Sequence, residues 1–148
     1  TDLAVAREVR PARRGLNVSV LGALGCRGLR SLMLLPGAVD GAAFKAYVQH
    51  CLVPTLRPGD IVLMDNLRVH KVAGIETAIA QAQAHVRYLP PYSPDLSPIE
   101  LAWSKIKAHL RRAAARTYAE LQQAVAAAVQ NITESDARGW FKHCGYCV

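Results

Sequence analysis

The run Ile61-Val62-Leu63-Met64, ending in Asp65-Asn66, most constrains what this chain can fold into. Four apolar residues between the turn signal Pro58-Gly59-Asp60 and an Asp-Asn pair read as a short buried strand. A helix is expected over 74–84, with Ile75, Ala78, Ile79 and Ala82 on one face, and a second short strand over 86–89. This β–α–β order implies a parallel strand pair joined by a right-handed crossover, so functional side chains gather at the carboxyl ends of the strands. Pro90-Pro91-Tyr92-Ser93-Pro94 then carries the chain across that edge. Proline fixes φ, so this link holds the following Glu100 at a defined place relative to Asp65.

The flanking segments complete an α/β chain. Residues 1–15 are basic and read as irregular. Strands are expected over 17–24 and 29–35, paired as a hairpin through Gly25-Cys26-Arg27-Gly28. Asp40 is placed to cap a helix carrying Phe44, Tyr47, Val48, Cys51 and Leu52 at three-and-four spacing. After the proline link the chain reads as helical over 97–114, 117–131 and from Thr133 onwards.

At 148 residues, 51% hydrophobic and 20% charged, the chain is one globular domain spanning 1–148. No apolar run approaches the ~18 residues that would span a bilayer, so a soluble, cytoplasmic protein with no membrane partner is expected. Eighteen lysines and arginines oppose eleven acids, a net charge of +7. The charge is clustered: Arg7, Arg10, Arg13, Arg14, Arg27 and Arg30 come early, and Lys105, Lys107, Arg111, Arg112 and Arg116 crowd one later segment. Such clusters draw phosphate backbone through counterion release, although a solvated basic surface reads the same way by composition. Of the four cysteines only Cys144 and Cys147 form a C-x-x-C, with no second pair at zinc-ribbon spacing. Idle thiols in a reducing compartment fit them best.

An acid at the tip of a buried strand and another in the first turn of a helix are parts of a site for divalent metal ions. Each has a plainer reading. Asp65-Asn66 suits a turn. Ser97-Pro98-Ile99-Glu100 is a capping box, with Ser at N-cap, Pro at N1 and Glu at N3, where a carboxylate is favoured without any catalysis. Helical spacing puts Glu100, Ser104, Lys107 and Arg111 along one flank, and Trp103, Ile106, Leu110 and Ala113 on another that packs inward. Asp95, in Ser93-Pro94-Asp95, reads as a turn residue, and Trp103 and Trp140 read as core.

Met64-Asp65-Asn66 through His70-Lys71, then Leu89-Pro90-Pro91-Tyr92-Ser93-Pro94-Asp95-Leu96-Ser97-Pro98-Ile99-Glu100 and Trp103-Ser104-Lys105, resemble the DDE transposases of the mariner-like and bacterial insertion-sequence group. The resemblance implies an RNase H-like fold, a mixed sheet flanked by helices. It makes Asp65 and Glu100 catalytic metal ligands, for Mg²⁺ or Mn²⁺ held as two ions. It places Asn66 and His70 beside the site as phosphate contacts or supports for the ligands. The activity implied is DNA strand cleavage and strand transfer in transposition. The partners implied are transposon ends, target DNA and further copies of the chain, with no small-molecule cofactor and a nucleoid-associated location. Lys105, Lys107, Arg111 and Arg112 become DNA contacts.

DDE enzymes use three carboxylates, and the family's first aspartate lies on the opening strand. By the resemblance this chain begins just after that position, so a sheet lacking its first strand is expected, with Asp2 as the one stand-in. The helix-turn-helix region that grips the transposon ends is also absent from the sequence. A catalytically incompetent, nucleic-acid-binding remnant of a transposase is the alternative.

Overall fold

The computed structural model describes residues 3–9, 18–65, 73–91 and 93–146, with β1 and Pro94 described by backbone alone. Five strands form one sheet in the order β3-β2-β1-β4-β5. They are β1 Leu3–Val9, β2 Val18–Gly25, β3 Gly28–Pro36, β4 Ile61–Met64 and β5 His85–Tyr88. The first three are antiparallel neighbours, whereas β4 runs parallel to both β1 and β5.

One expectation is corrected here. The sheet does not lack its first strand, because Leu3–Val9 occupies the central place between β2 and β4. The segment Leu-Ala-Val-Ala-Arg-Glu-Val is short, holds two alanines and carries the charged pair Arg7-Glu8, so its local signal for a strand is weak. Ladder partners on both sides supply what propensity does not.

Every residue of β2 is buried, as a strand covered on both faces must be, while the edge strands β3 and β5 are partly exposed. The β2–β3 hairpin closes through Cys26-Arg27, with Gly25 opposite Gly28. Gly28 takes φ +134°, a conformation that side-chain-bearing residues rarely adopt.

Two apolar clusters lie on the two faces of the sheet. One joins Leu21, Ala23, Val62 and Met64 to Phe44 and Tyr47 of α1 (Gly41–Tyr47) and to Ile75 and Ile79 of α2 (Ile75–Gln81). Asp40 caps α1 through Ala43 N–H, as expected, and the chain continues from α1 through a π-type turn, Val48–Leu52, and a 3-10 turn, Val53–Thr55. The other cluster joins Val18, Val20, Leu24 and Leu63 to α3 (Ile99–Ala113), α4 (Tyr118–Gln130) and α5 (Glu134–His143). Among the described residues no helix is long and apolar enough to cross a membrane.

Candidate active site

Asp65 follows β4 directly, in the half of the sheet where parallel strands end. Leu63 belongs to the cluster beneath α3, and two-residue alternation sets Asp65 on that same face. Glu100 lies in the first turn of α3, and α3 packs on β1 and β2. Both acids are half-buried. Leu89 N–H, just past β5, donates to the Met64 carbonyl at 2.7 Å, which ties the start of the proline link to the strand that carries Asp65.

The capping-box reading of Glu100 is not met in its hydroxyl half. Pro98, not Ser97, is the N-cap of α3, and no side-chain cap bond forms. The Ser97 Oγ is buried without a hydrogen-bond partner among the described residues, while Glu100 N–H donates to the Ser97 carbonyl at 3.1 Å. Real capping boxes appear one and two helices later. Thr117 with Glu120 caps α4, and Thr133 with Asp136 caps α5.

The link before α3 is pinned from the far end of the chain. Tyr146 Oη donates to the Leu96 carbonyl at 2.6 Å, and its ring meets Phe141 edge-on at 5.9 Å. Burial pushes the Tyr146 hydroxyl up from its ordinary value, so it stays a donor at neutral pH. Nothing in the local sequence pairs Tyr146 with Leu96. Asp95 is exposed in the 3-10 turn Pro94–Leu96, as a turn residue would be.

The basic residues of α3 divide into two kinds. Lys105 reaches Asp136 Oδ2 at 2.6 Å and the Asn131 carbonyl at 2.7 Å, bracing α3 against the caps of α4 and α5. The Lys105 hydrogen bond is the largest cause holding the Asp136 carboxyl below its usual range. Lys107 is half-buried, whereas Arg111 and Arg112 are exposed in the last turn of α3. Asn66, His70 and Asp2 lie outside the described residues.

By the resemblance the family's first aspartate lies on the opening strand, and Asp2, its one stand-in here, is outside the described residues. In the backbone ladder Ala6 is level with Met64, the residue before Asp65, and Arg7 is level with Gly22. No cluster of three or more His, Cys, Asp or Glu residues suited to a metal ion occurs among the described residues.

The order 3-2-1-4-5, with an acid ending β4 and another opening the helix laid over β1 and β2, is the RNase H-like plan of DDE transposase catalytic domains. The chain belongs to the DDE superfamily endonuclease family, whose model matches residues 4–122. Its fold matches the Mos1 transposase catalytic domain with raltegravir and Mn at TM-score 0.77 and 15% identity, covering 96% of this chain and 76% of that one. The catalytic domain of Mos1 mariner transposase matches at TM-score 0.73 and 15% identity, with 96% and 74% covered. The Mos1 paired-end complex with left transposon end matches at 0.74 and 16%, covering 96% of this chain and 51% of that one. No curated protein sequence matches the chain.

Proposed function

We propose that this chain is the catalytic portion of a DNA transposase, cutting a DNA strand and joining its 3′ end to a target, with Asp65 and Glu100 as its metal-holding carboxylates. The observation that carries the reading is the placement of both acids over one sheet face, one ending β4 and the other in the first turn of α3. Their chemistry fits the group. Carboxylates are the hard oxygen donors that Mg²⁺ and Mn²⁺ take, and Mg²⁺ retains several waters, so few protein ligands are needed. When bound, such ions activate the attacking oxygen and stabilise the leaving one. The solved relatives include a Mos1 catalytic domain with Mn and another with Mg.

The chain's own residues hold and orient. Asp65 is fixed by the β4 ladder, and Glu100 by the packed helix and the pinned link before it. Lys107, Arg111 and Arg112 line the way out from Glu100 along α3 and meet the phosphates of the strand. Asn66 and His70, next along the chain from Asp65, contact the same phosphates or support the ligands. The partners on this reading are transposon ends, target DNA and a second copy of the chain.

A second reading, a nucleic-acid-binding remnant without catalysis, is favoured by the lack of any cluster of three metal-suited side chains among the described residues. Supercoiled plasmid with Mn²⁺ separates the two. Nicking that disappears in Asp65→Ala and Glu100→Ala, with DNA affinity preserved, is the expected outcome. Salt-dependent binding with no cleavage at any Mn²⁺ concentration would establish the remnant.

A further inference from the structure

We infer that Gly22 is a positioning residue for Glu100: its missing side chain forms the seat on which Trp103 rests, and this seat sets the height of the first turn of α3 above Asp65. The inference rests on the metal-site reading above and extends it to a residue that touches neither acid.

Gly22 lies mid-strand in β2, and its φ is not in the left-handed region, so its backbone conformation does not call for glycine. Space does. A methyl carbon at Gly22 would stand 2.9 Å from Trp103 Cη2, 3.3 Å from Cζ2 and 3.2 Å from Leu32 Cδ1. Contacts under 3.0 Å do not occur between real carbons, so something must move. The indole is rigid and 1% exposed, closed in by the cluster of Val20, Leu24, Ile99 and Ile106, so the helix must lift or tilt with it. Leu32, opposite Gly22 on β3, closes the other side.

The seat is close to the acids. Leu32, Gly22 and Arg7 are level with one another across the sheet, and on β1 the neighbouring Ala6 is level with Met64, the residue before Asp65. Gly22 and Asp65 are two strand spacings apart, roughly 10 Å. On α3, Glu100 is three residues before Trp103, so the two Cβ atoms are about 5–6 Å apart on neighbouring helix rows. A lift at Trp103 is thus passed to Glu100 within one turn. Asp65 is anchored separately by β4 and stays in place, so the distance between the two acids changes.

The indole also tests its own role. Its Nε1 is buried with no hydrogen-bond partner among the described residues, so exchange for phenylalanine forfeits no described bond. Phenylalanine also lacks the outer ring atoms that a Gly22 methyl would strike. Trp103→Phe should therefore relieve the clash in Gly22→Ala.

The experiment titrates Mn²⁺ by calorimetry into the full chain as parent, Gly22→Ala, Trp103→Phe and the double variant, with nicking kinetics alongside. Gly22→Ala should lower Mn²⁺ affinity on the order of 10- to 100-fold, the range seen when a residue orienting a metal ligand is lost. The nicking kcat should fall with KM for DNA unchanged, and the double variant should recover most of both. Unchanged affinity in Gly22→Ala, or a double variant no better than it, overturns the inference. If Gly22→Ala does not fold, the double variant compared with Trp103→Phe carries the same test. Should Asp65→Asn and Glu100→Gln leave Mn²⁺ binding untouched, the metal-site reading is what fails. Crystal structures of the parent, Gly22→Ala and the double variant then decide the positioning inference: displacement of the first turn of α3 and its reversal uphold it, and an unmoved turn sinks it.

Discussion

The two faces of the sheet are built from similar apolar side chains and differ in their polar chemistry. The face under α1 and α2 keeps its phenols neutral. Tyr47 is fully buried against Ser31 Oγ at 2.6 Å, and burial pushes its hydroxyl well up. Tyr88 is pushed to about 12, by burial first and then by its hydrogen bond to Glu76. Asp60, buried, is paired with Arg30 at 2.9 Å and accepts a hydrogen bond from Arg57 N–H at 2.8 Å. The face under α3 to α5 carries Asp65 and Glu100, and its helices are joined to one another by charged and polar braces at their ends. A buried acid is tolerated where it is paired, whereas Asp65 and Glu100 are only half-buried, one after a strand end and the other at a helix start. The first face supports the sheet, and the second is aimed by it.

The largest effect that sharpens this contrast is in the core. Phe44→Ala and Trp103→Ala each remove a fully buried ring and should each cost about 3–5 kcal/mol in denaturant unfolding. Only Trp103→Ala should also weaken Mn²⁺ binding. Equal losses of Mn²⁺ affinity in the two variants would erase the difference between the faces.

Smaller effects follow at the braces. Tyr146→Phe removes the bond to the Leu96 carbonyl and should cost about 1 kcal/mol, with the loss seen as faster hydrogen exchange around residues 94–100. No change there would mean that the proline link holds itself.

The smallest effect is at Lys105. Its partner Asp136 has a lowered pKa, so the pair contributes stability above the unfolded carboxyl value near 3.8 and loses it as pH falls towards the lower folded value. Lys105→Met should remove that acid-limb dependence and cost less than about 1 kcal/mol at neutral pH, as a largely exposed pair does. Its DNA affinity should keep the parent's salt slope, whereas Lys107→Gln and Arg112→Gln should each reduce the slope by about one. A reduced slope in Lys105→Met would return that residue to the DNA surface.

Much of this is legible in local sequence. The β4–α2–β5 order, the hairpin through Gly25 to Gly28, the Asp40 cap and the long α3 follow from apolar spacing and turn chemistry. The positions of Asp65 after β4 and of Glu100 in the first turn of α3 are readable because strand ends and helix starts are marked by residue type. Three features were not readable. Leu3–Val9 becomes a strand only through neighbours on both sides, and the bond from Lys105 to Asp136 spans 31 positions. Ser97-Pro98-Ile99-Glu100 carries a full capping signature, yet the turn before it buries the Ser97 hydroxyl instead.

By itself, then, the sequence determined which segments are strands or helices where periodicity is strong, and which acids sit at their ends. These are short-range properties, set by φ preferences and by the repeat of apolar residues along a few turns. The tertiary structure decided which neighbours complete the sheet, which lysine is a brace, and that a glycine on β2 makes room for the tryptophan beside Glu100. Those choices depend on excluded volume and pairing between residues far apart in the chain, which no local pattern encodes.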